Sequence, residues 1–367
     1  MRVVHYYARF LAHPSGVTES IENWVRQAHR AGREAVVLCA SVPDPRELPT
    51  DLWGCVRTVS HVGRGRTSWV PTGLAGEVGE GDVLYLHEGW VLSNVAAARS
   101  ARARGAVVVL MPHGVYEPGV TTRLRDLAGA RRAAEASVVR RADWLHVFYA
   151  SEGPLADGVA GGRSGNTLVL PNGAPSPAEV PRWVGGGDYF FWMGRYDPDH
   201  KGIDNLLRRW AELPAPRPRL VLAGPDFRGG RERTARLVRD LGLGDCVELR
   251  GNARGEEKWL LVTGCRAYLH PSRWESCSIT VLEMLAAGVP VVVSSTIHAA
   301  EPLRAAGVAV VAHVDRPGGL LGPLQEVDEN RDLGRRAREW TERAATWDRV
   351  GARYGDWLSR VEEGAVR

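Results

Sequence analysis

Phe191-Trp-Met-Gly-Arg195-Tyr-Asp-Pro-Asp-His-Lys201-Gly202 decides how the chain is read. An aromatic, apolar run ends at Gly194, a charged loop follows, and Ile203 opens a segment of helical period. Arg195 and Lys201 therefore stand at the carboxyl end of a strand and beside a helix N-terminus. That position suits a diphosphate, which would meet backbone N–H groups, the positive end of a helix dipole and two cations. Arginine can bond an anion bidentately, whereas lysine acts as a compact point charge. A solvated turn that is merely charged would look the same in isolation. Asp197 and Asp199 offer a rival, a Mg²⁺ ion held on a nucleotide sugar. The flanking cations already supply that positive charge, however, and Asp–Pro is an ordinary turn element.

Outward from this stretch the same alternation recurs. Toward the C-terminus, strands are expected at 219–222, 246–249, 267–269 and 289–293, with helices between them. Toward the N-terminus, residues 171–187 are dense in Pro and Gly and read as a linker. Before it come strand-like runs at 2–7, 34–39, 83–86, 106–110, 144–147 and 167–170, and helical stretches near 91–104 and 123–141. Thr18 is placed to cap a helix with Ile21, Trp24, Val25 and Ala28 on one face, ended by Gly32. Alternation of this kind predicts an α/β fold with two doubly wound, Rossmann-like domains, residues 1–175 and 176–345, facing across a cleft. The tail 346–367 carries Trp347, Val350, Tyr354, Trp357 and Val361 on one helical face and is expected to cross back to the first domain.

Composition sets limits on function. With 367 residues, 44% hydrophobic and 25% charged, the chain can bury two cores. A disordered chain, a fibre and a small disulfide scaffold are excluded. Net charge is only +4, which gives no reason to invoke nucleic acid. Of 47 basic residues, Lys201 and Lys258 are the only lysines and the other 45 are arginines. The bias fits a GC-rich genome, such as an actinobacterial one, so a retained lysine is informative. Five cysteines without a Cys-x-x-Cys pair indicate neither a disulfide framework nor a zinc knuckle. The N-terminus enters a strand pattern with no signal-peptide core, and no run approaches the ~18 apolar residues of a membrane span. A cytoplasmic protein is expected, with peripheral membrane contact not favoured.

A second motif, Glu275-Ser-Cys-Ser-Ile-Thr-Val-Leu-Glu283, follows His270-Pro-Ser272. On one helix two carboxylates eight residues apart would be offset by roughly 12 Å along the axis. Paired glycosidase carboxylates need ~5–9.5 Å. Glu275 is therefore expected in the loop before a helix that starts near Ser278, with Glu283 in the second or third turn. Two such carboxylates suit two hydroxyl-bearing ends of one ligand, with the Ser278, Ile279 and Thr280 amides between them meeting a phosphate. Each acid read alone is also an ordinary helix-start or solvated glutamate.

In order and spacing, these pieces resemble the retaining glycosyltransferases of the two-Rossmann-domain (GT-B) type, family 4. The resemblance rests on Gly194-Arg195 with Lys201-Gly202, Leu220-Val-Leu-Ala-Gly224, Pro271-Ser272, Glu275 with Glu283, and the run 286–293. It implies that Arg195 and Lys201 bind the donor's diphosphate, that Glu283 meets the ribose, and that Glu275 contacts the transferred sugar. It implies that the segment 251–256, with Gly251 and Asn252, flanks the base. In the first domain, Pro112-His113-Gly114 resembles the family's His-Gly element near the sugar, Asn172-Gly173 its domain-junction pair, and Ser15-Gly16-Val17 its loop after the first strand. That loop usually carries two glycines, and only Gly16 is present. Ser278 stands where the family usually has a glycine.

The function so implied is retaining, metal-independent transfer of a hexose from a nucleoside diphosphate sugar, with UDP favoured, to a hydroxyl of a small-molecule or natural-product acceptor. No cofactor is expected beyond the donor substrate. A cell-envelope glycan or lipid carrier is the alternative acceptor, and a nucleotide-sugar epimerase of the same architecture is the alternative of another class. Two further segments have an ordinary reading and a functional one. The helix over 123–141 sets Arg123, Arg125, Arg131, Arg132, Arg140 and Arg141 against Asp126 and Glu135 and reads first as a solvated face, second as a surface for anionic lipid or a phosphorylated acceptor. The Gly-rich stretch 63–81 with Trp69 reads as a mobile acceptor loop or as a long surface loop.

Overall fold

The computed structural model describes residues 1–10, 15–40, 48–63, 70–124, 129–163, 165–185 and 187–364. The chain divides into two compact units, Met1–Asn172 with Trp347–Arg367, and Gly173–Thr346. The first division falls three residues before the boundary expected from sequence.

Among the described residues there are fifteen strands: β1 (Arg2–Tyr6), β2 (Glu34–Cys39), β3 (Val56–Thr58), β4 (His61–Val62), β5 (Val70–Pro71), β6 (Val83–His87), β7 (Val107–Met111), β8 (Trp144–Val147), β9 (Asn166–Val169), β10 (Tyr189–Met193), β11 (Arg219–Ala223), β12 (Val247–Arg250), β13 (Ala267–His270), β14 (Val291–Ser294) and β15 (Val310–Ala312). In the first unit a parallel sheet runs β3-β2-β1-β6-β7-β8-β9, and β4 pairs antiparallel with β5 beside it. In the second unit a parallel sheet runs β12-β11-β10-β13-β14-β15. Both read as buried parallel sheets because their inner strands are fully buried and almost wholly apolar, Val83–His87 and Val291–Ser294 among them.

Each sheet order reverses once, between β1 and β6 in the first unit and between β10 and β13 in the second. At such a point the crossover helices leave in opposite directions and open a crevice at the strands' carboxyl ends. Every candidate residue named below follows one of these sheets' strands or its crossover helix.

The tail returns to the first unit, as its apolar face required. Helix Trp347–Glu362 lies along helix Gly16–Arg30. Trp24 meets Trp347 edge-on at 5.2 Å and Tyr354 at 4.9 Å, while Trp357 meets Trp144 at 5.3 Å. Ion pairs Arg33–Glu362 and Arg30–Asp348 close the rim. Four buried aromatic rings, with the half-buried Trp347 against them, contribute far more than the surface pairs.

Several expectations are corrected. Helix Gly16–Arg30 begins at Ser15, whose backbone is extended, and not at Thr18. Thr18 is buried one turn in and donates its hydroxyl to the Phe10 carbonyl at 3.0 Å. The cationic helix spans Ala130–Arg141; Arg125 and Asp126 lie outside the described residues. Glu135 is not a surface countercharge there: it is buried, accepting from the Tyr116 hydroxyl at 2.5 Å and the Trp90 amide at 2.6 Å. Trp69 and its neighbours at 64–69 also lie outside the described residues. Among the described residues no helix is long and apolar enough to cross a membrane.

Candidate functional site

In the second unit, β10 delivers Arg195 and Lys201, and β13 delivers Glu275. The loop after β10 is not wholly irregular. Pro198–Lys201 forms one helical turn, Gly202 turns the chain left-handed at φ +63°, and helix Ile203–Ala211 follows. Gly202 packs against the loop after β13, where an added Cβ would lie 2.0 Å from the Pro271 carbonyl oxygen. Three hydrogen bonds hold the same junction. The Arg273 amide donates to the His200 carbonyl at 2.9 Å, and the Arg273 guanidinium is bidentate to Asp204 at 2.7 Å. His200 stacks on Trp274 at 4.7 Å. The two loops are thus one rigid piece.

That piece brings Lys201 and Glu275 together. Lys201 Nζ donates to Glu275 Oε2 at 2.5 Å, Ser272 Oγ donates to the same oxygen at 3.4 Å, and His270 Nε2 lies 3.5 Å from it. Burial pushes the Glu275 carboxyl up, but the Lys201 ammonium, with the neighbouring His270 and His200 imidazoles adding to it, outweighs burial and holds the group well below the usual carboxylate range. His200 is itself pushed down to about 4, by burial first and by Lys201 second. Arg195 is exposed, with its guanidinium over the Phe227 ring at 4.7 Å. Asp199, the rival metal ligand, pairs with Arg233 at 3.2 Å.

Helix Ile279–Ala287 starts at Ser278, whose hydroxyl accepts from the Val281 amide at 3.3 Å. The first-turn N–H groups of Ile279 and Thr280 therefore face out of the helix start, without intrahelical acceptors. Glu283 lies in the second turn. Its partner is a residue sequence reasoning passed over: Lys258 Nζ donates to Glu283 Oε1 at 2.5 Å. Lys258 sits in helix Gly255–Thr263, directly after the exposed loop containing Gly251 and Asn252. Both lysines of the chain thus grip the two glutamates of one motif. The rarity of lysine was the signal available for Lys258.

In the first unit, Gly16 opens helix Gly16–Arg30 after β1. His113 follows β7 in a left-handed conformation, φ +55°, and Glu88 and Trp90 after β6 share that conformation. Strained non-glycine backbone of this kind collects at functional sites. Arg9, after β1, is paired with Glu88 across the switch point; neither residue stood out in the sequence. Asn172, buried, is the last residue of the unit's first segment, and its Oδ1 accepts from Ser20 Oγ at 2.7 Å and Trp24 Nε1 at 3.1 Å. It ties the end of that segment to helix Gly16–Arg30.

With these geometries in hand, known proteins place the chain. Residues 178–346 match the model of the glycosyl transferases group 1. The second unit belongs to that family. A D-inositol 3-phosphate glycosyltransferase of Frankia alni is 33% identical over 189 residues, which is 49% of this chain and 40% of that relative. The chain thus matches well under half of that relative's length. Among solved structures, sucrose-phosphate synthase from Thermosynechococcus elongatus superposes with a TM-score of 0.75 at 17% identity, covering 99% of both chains. Anabaena HepE in complex with UDP superposes with a TM-score of 0.75 at 16% identity, covering 98% of this chain and 100% of that one. The fold is therefore the α/β, two-Rossmann-unit GT-B type expected from the sequence. Lys201, Glu275 and Glu283 all fall inside the glycosyl transferases group 1 match.

Gly202→Ala tests the loop junction of this group 1 unit. A left-handed alanine costs about 1–2 kcal/mol by itself, and the Pro271 carbonyl blocks its Cβ. A loss of about 3 kcal/mol or more is expected in urea denaturation. Gly229→Ala, at φ +73° with nothing within 4 Å of an added Cβ, should cost only the conformational share. Equal losses for the two variants would refute the packing argument.

Proposed function

We propose that the chain transfers a hexose from a nucleoside diphosphate sugar, with UDP as the nucleotide, to a hydroxyl of a small-molecule acceptor, with retention of configuration and without a metal ion. One observation carries the proposal: Lys201 and Glu275, 2.5 Å apart, stand at the switch point of the second unit's sheet. The names of similar proteins support it, since one is a D-inositol 3-phosphate glycosyltransferase and another holds UDP. In this reading the second unit is the donor-binding unit and the first binds the acceptor.

Arg195 and Lys201 take the diphosphate, the amides of Ser278, Ile279 and Thr280 add donors to it, and Glu283 takes the ribose. Gly251 and Asn252 flank the base, and Glu275 holds the sugar's hydroxyls. Within the first unit, Gly16 and His113 are the candidate ligand contacts. As the bond from the anomeric carbon to the diphosphate oxygen breaks, negative charge gathers on that oxygen. Arg195 and Lys201 are already in place to stabilise it, so no reorganisation is needed at that moment. The acceptor oxygen bonds to the same face of the anomeric carbon, and its proton passes to the departing phosphate oxygen. Glu275, kept ionised, accepts hydrogen bonds and does not serve as the acid.

All five cysteines are free thiols, which suits the cytoplasm. A cell-envelope glycan or lipid carrier is the other acceptor class. The experiment is product analysis by NMR, with EDTA present throughout. A transferred sugar with the donor's anomeric configuration is expected. An inverted product, activity restored only by Mg²⁺, or an altered free sugar formed without acceptor would each overturn the proposal, the last in favour of an epimerase.

A further inference from the structure

His113 does not stand alone. Its Nε2 lies 2.9 Å from Nδ1 of His87, and Nε2 of His87 lies 2.9 Å from Nδ1 of His5. The three imidazoles run from the strained turn after β7, through the end of β6, into the interior of β1. His87 is 1% exposed and His5 is fully buried. The rings of His5 and His87 stack at 5.2 Å, and Tyr85 stacks on His5 at 4.9 Å, so the rings are held in place. Burial, reinforced by neighbouring imidazoles, keeps all three neutral: His5 and His113 are pushed down to about 3, and His87 well below its usual range.

A neutral imidazole carries one N–H and one lone pair. Each of the two contacts needs one proton, and His87 can donate in only one of them. The protons must therefore all face the same way along the chain. Facing inward, they would end on an N–H at His5 Nε2, which is buried and has no hydrogen-bond partner among the described residues. Facing outward, they leave only a lone pair there. A buried N–H without an acceptor is the rarer and more costly arrangement. The outward chain gives His113 an Nδ1–H. That nitrogen is outside the chain of contacts, on a residue only partly buried.

We propose that His5 and His87 are positioning residues that lock the tautomer of His113, so that His113 meets its ligand as an Nδ1–H donor. The ligand class is a sugar hydroxyl or other oxygen acceptor. That identification rests on the proposed function; the tautomer lock does not. His146 offers an internal contrast. Its Nε2 faces the Leu170 carbonyl at 2.9 Å, which can only accept, so its proton is fixed on Nε2 independently.

Long-range ¹⁵N–¹H NMR of the full chain, labelled at histidine, reads each tautomer directly. The expected result is Nδ1–H at His5, His87 and His113, and Nε2–H at His146. In His87→Phe, His113 should lose its fixed tautomer and give a mixture. His5→Phe should loosen it as well, by removing the end of the chain. An Nε2–H or mixed His113 in the unaltered protein would overturn the proposal, as would an unchanged His113 in both variants. The His146 signal reports whether the first unit has kept its structure; if neither variant keeps it, the unaltered protein's spectrum decides. Fixed tautomers without sugar transfer would refute the function and leave the lock standing. Sugar transfer with mixed tautomers would do the opposite.

Discussion

Lys201→Ala lowers kcat/KM for sugar transfer by about 10²–10³-fold, the loss typical of removing one preorganised donor from a developing anion. In the proposed reaction Lys201 faces the departing diphosphate, and in the structure it is the cation nearest to Glu275, at 2.5 Å. Without it, burial acts on the Glu275 carboxyl with its main opposition gone, and the group's pKa rises. The acid limb of the pH profile of kcat/KM should therefore move to higher pH in Lys201→Ala. Glu275→Gln, which removes the titrating group, should show no such limb. Lys201→Arg should recover part of the rate, since charge returns but the compact ammonium does not. A Lys201→Ala enzyme within a few-fold of the unaltered one, with its acid limb unmoved, would remove Lys201 from the chemistry.

The second large effect concerns stability. His5, His87 and His146 are at most 1% exposed in the first unit. Desolvation holds His5 down to about 3, His146 to about 4, and His87 well below its usual value. Their folded pKa values lie below the unfolded value of about 6.5. The stability that comes from keeping them neutral is therefore complete above pH 6.5 and is lost as pH falls toward 3 to 4, because the unfolded chain binds the extra protons. Linkage gives roughly 2 kcal/mol for each such imidazole between pH 7 and pH 5. The sum is several kcal/mol, a large share of the 5–15 kcal/mol that holds a domain together. Urea midpoints measured at pH 7 and pH 5 should fall steeply, before most carboxylates begin to titrate. Equal midpoints would mean that these imidazoles are hydrated or already charged in the native protein.

Much of this site was legible in the chain itself. Arg195, Lys201, Glu275 and Glu283 could be named because each sits next to a strand end or helix start that leaves its own mark: Gly194 after an apolar run, Gly202 before a helix, Ser278 as a cap. The tail's return could be inferred because an apolar face with two tryptophans must be buried somewhere. Lys258 was marked by the rarity of lysine but could not be given a role, since in Glu256-Glu257-Lys258-Trp259 it has the pattern of a solvated helix face, and its approach to Glu283 is tertiary. His5 and His87 were hidden for the opposite reason. A single histidine inside an apolar strand resembles any satisfied core residue, and only sheet order places β1 beside β6. Strands β3 and β15, three residues each at sheet edges, are too short to show a period. Ser15 and Thr18 are both good caps by type, so composition could not choose between them.

The central claim is that the second unit binds a nucleoside diphosphate through Lys201. Thermal shift with UDP, GDP, ADP, CDP and dTDP, each in EDTA, tests it most directly. At ~100-fold excess over Kd a ligand of the native state adds about 2.7 kcal/mol. At least one nucleotide, UDP foremost, should raise Tm by several degrees, and Lys201→Ala should abolish the rise. No shift with any of the five, or a shift that survives Lys201→Ala undiminished, would contradict it.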